Sequence, residues 1–206
     1  GGGDSSYTTV DAYDQNLQKP TSQPTGLSQA RRYLAATTVG NYALFGGGYN
    51  NSSYFSTVDA YDASLTRTTP TGLSVARSEL AATTLGNYAL FGGGNYYNES
   101  DRTYPEVATV DVYDQNLAKM PTYELSDARY SLAATTVGNY ALFGGGRDSN
   151  VVDVFFIPIG PNSVQVFPGT KYSFNGSEEL VSDTWQTISI SGPLVGYIKV
   201  KKTTVN

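Results

Sequence analysis

The sequence predicts an all-β protein assembled from repeated units of four short strands, and three observations carry that expectation. One segment returns along the chain: PTGLSQARRYLAATTVGNYALFGGG from Pro24 to Gly48, a near copy from Pro70 to Gly94, and a copy with one extra residue from Pro121 to Gly146. A second element alternates with it: TVDAYD at Thr9 to Asp14 and at Thr57 to Asp62, TVDVYD at Thr109 to Asp114, and a decayed VVDVFF from Val151 to Phe156. Charged residues are only 15% of the chain, whereas Gly (22) and Tyr (17) are abundant, and stretches of strong helix formers are scarce.

The strands follow in order within each unit. Leu34 to Val39 is small and β-branched, which suits a crowded inner strand. Gly40-Asn41 then offers a two-residue hairpin with positive φ angles. Tyr42 to Phe45 is apolar without alternation, as expected for a strand covered on both faces. The glycine triplet ends it. A loop follows, then Thr57 to Asp62 as a third strand and a short outer segment around Leu65. Arg31, Arg77 and Arg129 recur 46 and 52 residues apart. Four strands in a period near fifty predict β-propeller blades, since solenoid repeats are shorter or need amphipathic helices.

The order of Arg, small apolar strand, glycine-rich end, variable loop and Val-Asp-x-Tyr-Asp resembles the kelch repeat, over Gly1 to about Phe156. That resemblance implies a kelch-type propeller domain over residues 1–157. It departs from the family where a tryptophan is usual: Lys19, Arg67 and Lys119 stand there, with Leu17, Leu65 and Leu117 two positions earlier to take over its packing. Similar degenerate arrays occur in bacterial surface and phage-encoded proteins, which implies an extracellular, cell-surface or virion location. Gly1 to Gly3 match the end of a second strand, so the propeller is expected to be partial, beginning within a blade. Either further blades lie upstream, the favoured expectation, or the last strands pair with Tyr7 to Asp14 and close a small ring.

From Pro158 the period is lost, and residues 158–206 are expected to form a small C-terminal β-meander. Its strands are expected at Ser163 to Phe167, Lys171 to Phe174, Thr184 to Ser191 and Val195 to Val200, with Trp185 as core anchor. A module this small needs a partner surface, so it is a cap or a site of attachment or homo-oligomerisation. The basic end at Lys199, Lys201 and Lys202 is expected to be a solvated edge.

Composition also excludes. With no Cys and no His, thiolate nucleophiles, histidine triads and the usual zinc and copper ligands are missing, so no metal, no cofactor and no enzyme activity are expected. A formal charge of -5 argues against nucleic acid. No stretch approaches the roughly 20 apolar residues of a spanning helix, so no membrane insertion is expected.

Binding is expected in the loops between the glycine triplet and the third strand, which differ between copies while the hairpins do not. The long ones, YNNSSYFS and NYYNESDRTYPEVA, have a paratope's composition: tyrosine gives contact area at low entropic cost, and Asn and Ser give adaptable hydrogen bonds. The candidate ligand-binding residues are Tyr49, Tyr54, Tyr96, Tyr97, Asp101, Arg102 and Tyr104. The ligand class is a glycan or a protein. The repeated arginines are assigned a structural role, bonding loop carbonyls or pairing with Asp11, Asp59 and Asp111; Asp14, Asp62 and Asp114 are assigned to turn capping. The alternative reading is a structural or assembly protein acting through its C-terminal module.

Overall fold

The structure, a computed structural model, describes residues 6–156 in full and, beyond them, the backbone of four short strands. All regular structure among the described residues is β. No helix there is long and apolar enough to cross a membrane.

Three antiparallel sheets follow one another along the chain. The first contains β1 (Ala35–Val39), β2 (Tyr42–Gly46), β5 (Val58–Tyr61) and β6 (Arg67–Thr68), in that spatial order; between β2 and β5 a separate two-stranded ribbon joins β3 (Tyr49–Asn50) to β4 (Ser53–Tyr54). The second contains β7 (Ala81–Leu85), β8 (Tyr88–Gly92), β9 (Thr109–Asp114) and β10 (Tyr123–Glu124), and the third β11 (Ala133–Val137), β12 (Tyr140–Gly144) and β13 (Val152–Phe156). The register repeats: Ala35, Ala81 and Ala133 each face the glycine that ends the partner strand, Gly46, Gly92 and Gly144.

The small residues of the first strands let the sheets approach. Thr37 Oγ1 lies 2.8 Å from Thr84 Oγ1, and Thr83 Oγ1 lies 2.8 Å from Thr136 Oγ1, so β1, β7 and β11 run side by side. Across each interface a phenylalanine covers a glycine. A Cβ on Gly46 would lie 2.7 Å from the Phe91 ring, and one on Gly92 would lie 2.7 Å from Phe143. Phe91 and Phe143 are completely buried. Burial of such a ring is a few kcal/mol of stabilisation each.

The repeated arginines tie each sheet to the segment that enters it. The backbone of that segment hydrogen-bonds the preceding unit: Leu73 N–H donates to Ser56 O and Arg77 N–H to Phe55 O. Its side chains grip the following sheet. Arg77 Nη1 is 2.9 Å from Asp111 Oδ2, Ser74 N–H and Oγ donate to the same carboxylate, and Arg77 Nη2 donates to Phe91 O. Arg31 pairs likewise with Asp59 at 2.9 Å and Arg129 with Asp153 at 2.7 Å. Burial pushes the Arg77 guanidinium down, and Asp111 partly restores it. Burial alone would raise the Asp111 carboxyl; Arg77, Lys119 and Ser74 outweigh it and hold it below the usual carboxylate range.

Several expectations need correction. Asp11 does not take a repeated arginine as partner; it pairs with Lys19 at 2.6 Å, and Asp153 serves Arg129. Lys119 and Arg67 supply a second cation to the same carboxylates: Lys119 Nζ is 3.0 Å from Asp111 and Arg67 Nε is 3.8 Å from Asp59. Leu65 is a turn residue with φ 62°, and the outer strand lies at Arg67–Thr68. Leu117 packs against the buried core that holds Leu44, Leu80 and Phe91, but Leu17 is 79% exposed. In the hairpins glycine alone has positive φ, at Gly40, Gly86 and Gly138; the following asparagine does not. Asp14, Asp62 and Asp114 do cap their turns: each Oδ1 accepts the N–H groups two and four residues on.

Ring closure onto residues 7–14 is not seen among the described residues. Tyr7 bridges to Arg31, Leu27 N–H donates to Thr8 O, and β13 pairs with β12. In the C-terminal region β14 (Ser163–Val166) pairs with β17 (Gln186–Ser189), and β15 (Lys171–Phe174) with β16 (Ser177–Leu180). One hairpin nested between the strands of another replaces the expected meander, in which each strand would pair with the next. Gly1 to Gly3, Trp185, Val195 to Val200 and the terminal lysines lie outside the described residues.

Two of the repeated tyrosines, Tyr61 and Tyr113, are buried in the core. Tyr113 is fully buried and its hydroxyl donates to Thr71 O at 2.8 Å; Tyr61 does the same to Thr25 O at 2.8 Å. Burial, with the neighbouring Asp111 or Asp59 adding to it, raises both phenols above the ordinary range. A group whose folded pKa is raised stabilises fully below its unfolded value, about 10 for tyrosine, and loses that contribution as pH rises above it. Phenolate absorbance during alkaline titration is therefore expected to show a late group that ionises together with loss of β circular dichroism. Titration of every tyrosine before unfolding would refute this assignment.

Candidate functional site

The loops that differ between copies leave each sheet at the same place, after the glycine triplet. Gly47 and Gly48 adopt φ of 71° and 107°, values that glycine tolerates and L side chains resist. The turn they make starts the first long loop, whose β3–β4 hairpin is closed by the Asn50 side chain accepting from Ser52 N–H and Ser53 N–H. This hairpin sets Tyr49 opposite Tyr54 with ring centroids 4.8 Å apart. In the second loop Asn98 N–H donates to Thr103 O, and Tyr97 meets Tyr104 with centroids 5.0 Å apart. Both pairs are tilted, at 43° and 48°.

The two loops share one electrostatic neighbourhood. Burial raises the Tyr54 phenol, and Tyr104, Tyr49 and Glu79 each add to the effect, so the hydroxyl of one loop senses a tyrosine of the other. Tyr97 and Tyr104 are exposed, Tyr49 and Tyr54 half-buried. The remaining expected residues divide. Asp101 is exposed and its carboxylate accepts from Thr103 N–H and Oγ1, which shapes the loop tip. Arg102 sits at that tip with φ 56°. Tyr96 is half-buried, donates its N–H to Pro105 O, and belongs to neither tyrosine pair.

Six further residues border these loops, of which Ser78 is buried. Arg32 exchanges backbone hydrogen bonds with Tyr49, Ser78 does so with Asn95, and Arg147 N–H donates to Tyr130 O. The Arg32 guanidinium lies 5.2 Å from the Tyr49 ring centroid and 5.4 Å from that of Tyr33. Arg147 covers Tyr130 at 5.8 Å and donates to its hydroxyl. Next to these, Tyr33, Glu79 and Ser131 hold equivalent positions with φ of 56°, 55° and 54°. Their backbones are linked in a row: Glu79 N–H donates to Tyr33 O and Ser131 N–H to Glu79 O, each at 2.9 Å.

A signal for these residues was present in the repeats. The frames read Ala-Arg-Arg-Tyr-Leu, Ala-Arg-Ser-Glu-Leu and Ala-Arg-Tyr-Ser-Leu, followed in each by Ala-Ala-Thr-Thr. The two varying positions are Arg32-Tyr33, Ser78-Glu79 and Tyr130-Ser131.

No family model matches the sequence, and no curated protein matches it. Among solved structures the chain is similar to "Structure of YjhT", with a TM-score of 0.56 at 14% identity, covering 70% of this chain and 47% of that one. The chain thus spans about half the length of that structure, and the likeness concerns the β fold alone.

Proposed function

We propose that this chain is a non-enzymatic recognition module, a set of kelch-type propeller blades that binds a glycan through its variable loops. The observation that carries the reading is the packing of Tyr49 on Tyr54 and of Tyr97 on Tyr104 in the two long loops that follow the glycine triplets. Tilted phenol rings offer apolar faces to the C–H side of a sugar ring. Neighbouring amides, hydroxyls and carboxylates can meet its hydroxyl groups. The propeller assignment is supported by successive sheets whose first strands adjoin through the threonines and whose faces interlock through Phe91 and Phe143. A glycan ligand fits a cell-surface or virion location.

Binding to an array of immobilised oligosaccharides tests the reading. The double variant Tyr97→Ala, Tyr104→Ala is expected to lose affinity at least about tenfold, since each aromatic contact contributes on the order of 1 kcal/mol. Absence of glycan binding by the unaltered chain, or retention of an envelope protein that survives glycosidase treatment, would overturn the glycan assignment.

A second reading, an assembly role, is favoured by a different observation. The third sheet has three strands, and Val137, Tyr140 and Val152 are exposed there. Sedimentation velocity of the chain with and without residues 158–206 separates the two, because assembly through that region requires an oligomer that deletion abolishes.

A further inference from the structure

We infer that Glu79 is the specificity-setting residue of this surface and selects neutral, hydroxyl-rich sugars over anionic ones. The inference rests on the glycan reading above and adds the class of sugar to it.

Glu79 occupies the middle of the row Tyr33, Glu79, Ser131, with backbone bonds to both neighbours. Its own φ of 55° is a conformation in which a side chain is disfavoured, and glycine would be the relaxed choice. The same holds for Tyr33 and Ser131, so three units retain three different side chains at a position where folding favours none. The backbone bonds leave the carboxylate itself available for other partners. Ser131 Oγ donates to its Oε2, which orients the group.

The surroundings define the chemistry. Tyr33 is 44% exposed and its ring lies beside the Arg32 guanidinium, which continues to Tyr49 and from there to Tyr54. Of the neighbouring arginines, Arg32 lies between two phenol rings, and Arg147 is held by Tyr130 and Asp148. A carboxylate in this position accepts hydrogen bonds from two neighbouring sugar hydroxyls while a ring stacks on tyrosine. A carboxylated or sulfated sugar there meets like charge, and losing such a contact costs it affinity.

The test uses the full chain and an array carrying neutral hexose oligomers beside sialylated, uronic and sulfated ones. The unaltered chain is expected to prefer the neutral probes. Glu79→Gln should weaken neutral binding about tenfold, the loss of a charge-assisted hydrogen bond, with an unchanged melting temperature because the backbone ladder persists. Glu79→Arg should shift the preference towards the anionic probes. Neutral binding that is unchanged in both variants, yet abolished by the Tyr97→Ala, Tyr104→Ala pair, overturns the role of Glu79 and leaves the glycan reading standing. Preference of the unaltered chain for anionic probes overturns the inference directly. Failure of the unaltered chain to bind any probe removes the reading beneath it.

Discussion

Replacing Asp111 with alanine is expected to destabilise the protein by about 3–5 kcal/mol, the range for removing one partner of a buried ion pair. That is a large share of the roughly 5–15 kcal/mol that holds a typical domain folded. The reason is what remains. Arg77 is completely buried, with Asp111 2.9 Å away, and Lys119 and Ser74 converge on the same carboxylate. Without it two cations lose their counter-charge and a loop N–H loses its acceptor. Asp11, the same residue of the repeat in the first copy, supplies the control: its side chain is half exposed and its partner is the exposed Lys19. Urea denaturation should therefore show a much lower midpoint for Asp111→Ala and an unchanged one for Asp11→Ala. The pH dependence follows from the depressed Asp111 carboxyl. Its contribution is complete above its unfolded value, about 4, and is lost as pH falls below that. The substituted protein should accordingly lose less stability on acidification than the original. Equal midpoints for the two variants would refute a supporting role for the buried pair.

A second large effect is expected at the glycine triplets, where a single substitution can be made in the same backbone conformation with and without a neighbour. Gly93 has φ 72°, and a Cβ there would lie 2.7 Å from Arg129 O and 2.7 Å from Leu132 Cδ2. Gly145 has φ 68°, and no described residue comes within 4 Å of its Cβ position. Both alanines carry the left-handed penalty of about 1–2 kcal/mol. Only Gly93→Ala adds a clash with backbone, so it should cost about 1–3 kcal/mol more than Gly145→Ala. Comparing the two by thermal or urea unfolding removes the conformational term and leaves the packing of one sheet on the next. Equal losses would mean that the third sheet is covered as closely as the second.

Much of the scaffold was legible because the repeats display it several times. Leu-Ala-Ala-Thr-Thr marks a first strand, Gly-Asn a hairpin and Tyr-Ala-Leu-Phe a second strand, and β1, β2, β7, β8, β11 and β12 fall where these patterns stand, although of the second strands only β8 is covered along most of its length, while β11 is largely exposed. What was not legible depends on contacts distant in sequence. Arg31 and Asp59 are separated by 28 residues, and nothing local says that the arginine reaches forward to the sheet it enters. Leu65 is apolar and reads as strand, yet the turn organised by Asp62 gives it a positive φ. At the candidate site the tyrosine-rich loops stood out by composition, and Tyr49 with Tyr54 and Tyr97 with Tyr104 came together as pairs. Glu79, Tyr33 and Arg32 were hidden within the best-preserved segment of the repeat, where constancy of the frame draws attention away from the two positions that change.

The forward reach of the arginines has a mechanical consequence. Each junction fastens the entry segment to the sheet ahead while its main chain remains laced to the unit behind, so neighbouring sheets melt or survive as couples. Cutting the Arg77–Asp111 fastening should divide the array into an early-melting and a late-melting portion, as in a train uncoupled between two carriages, because β7 stands between β1 and β11 among the described residues.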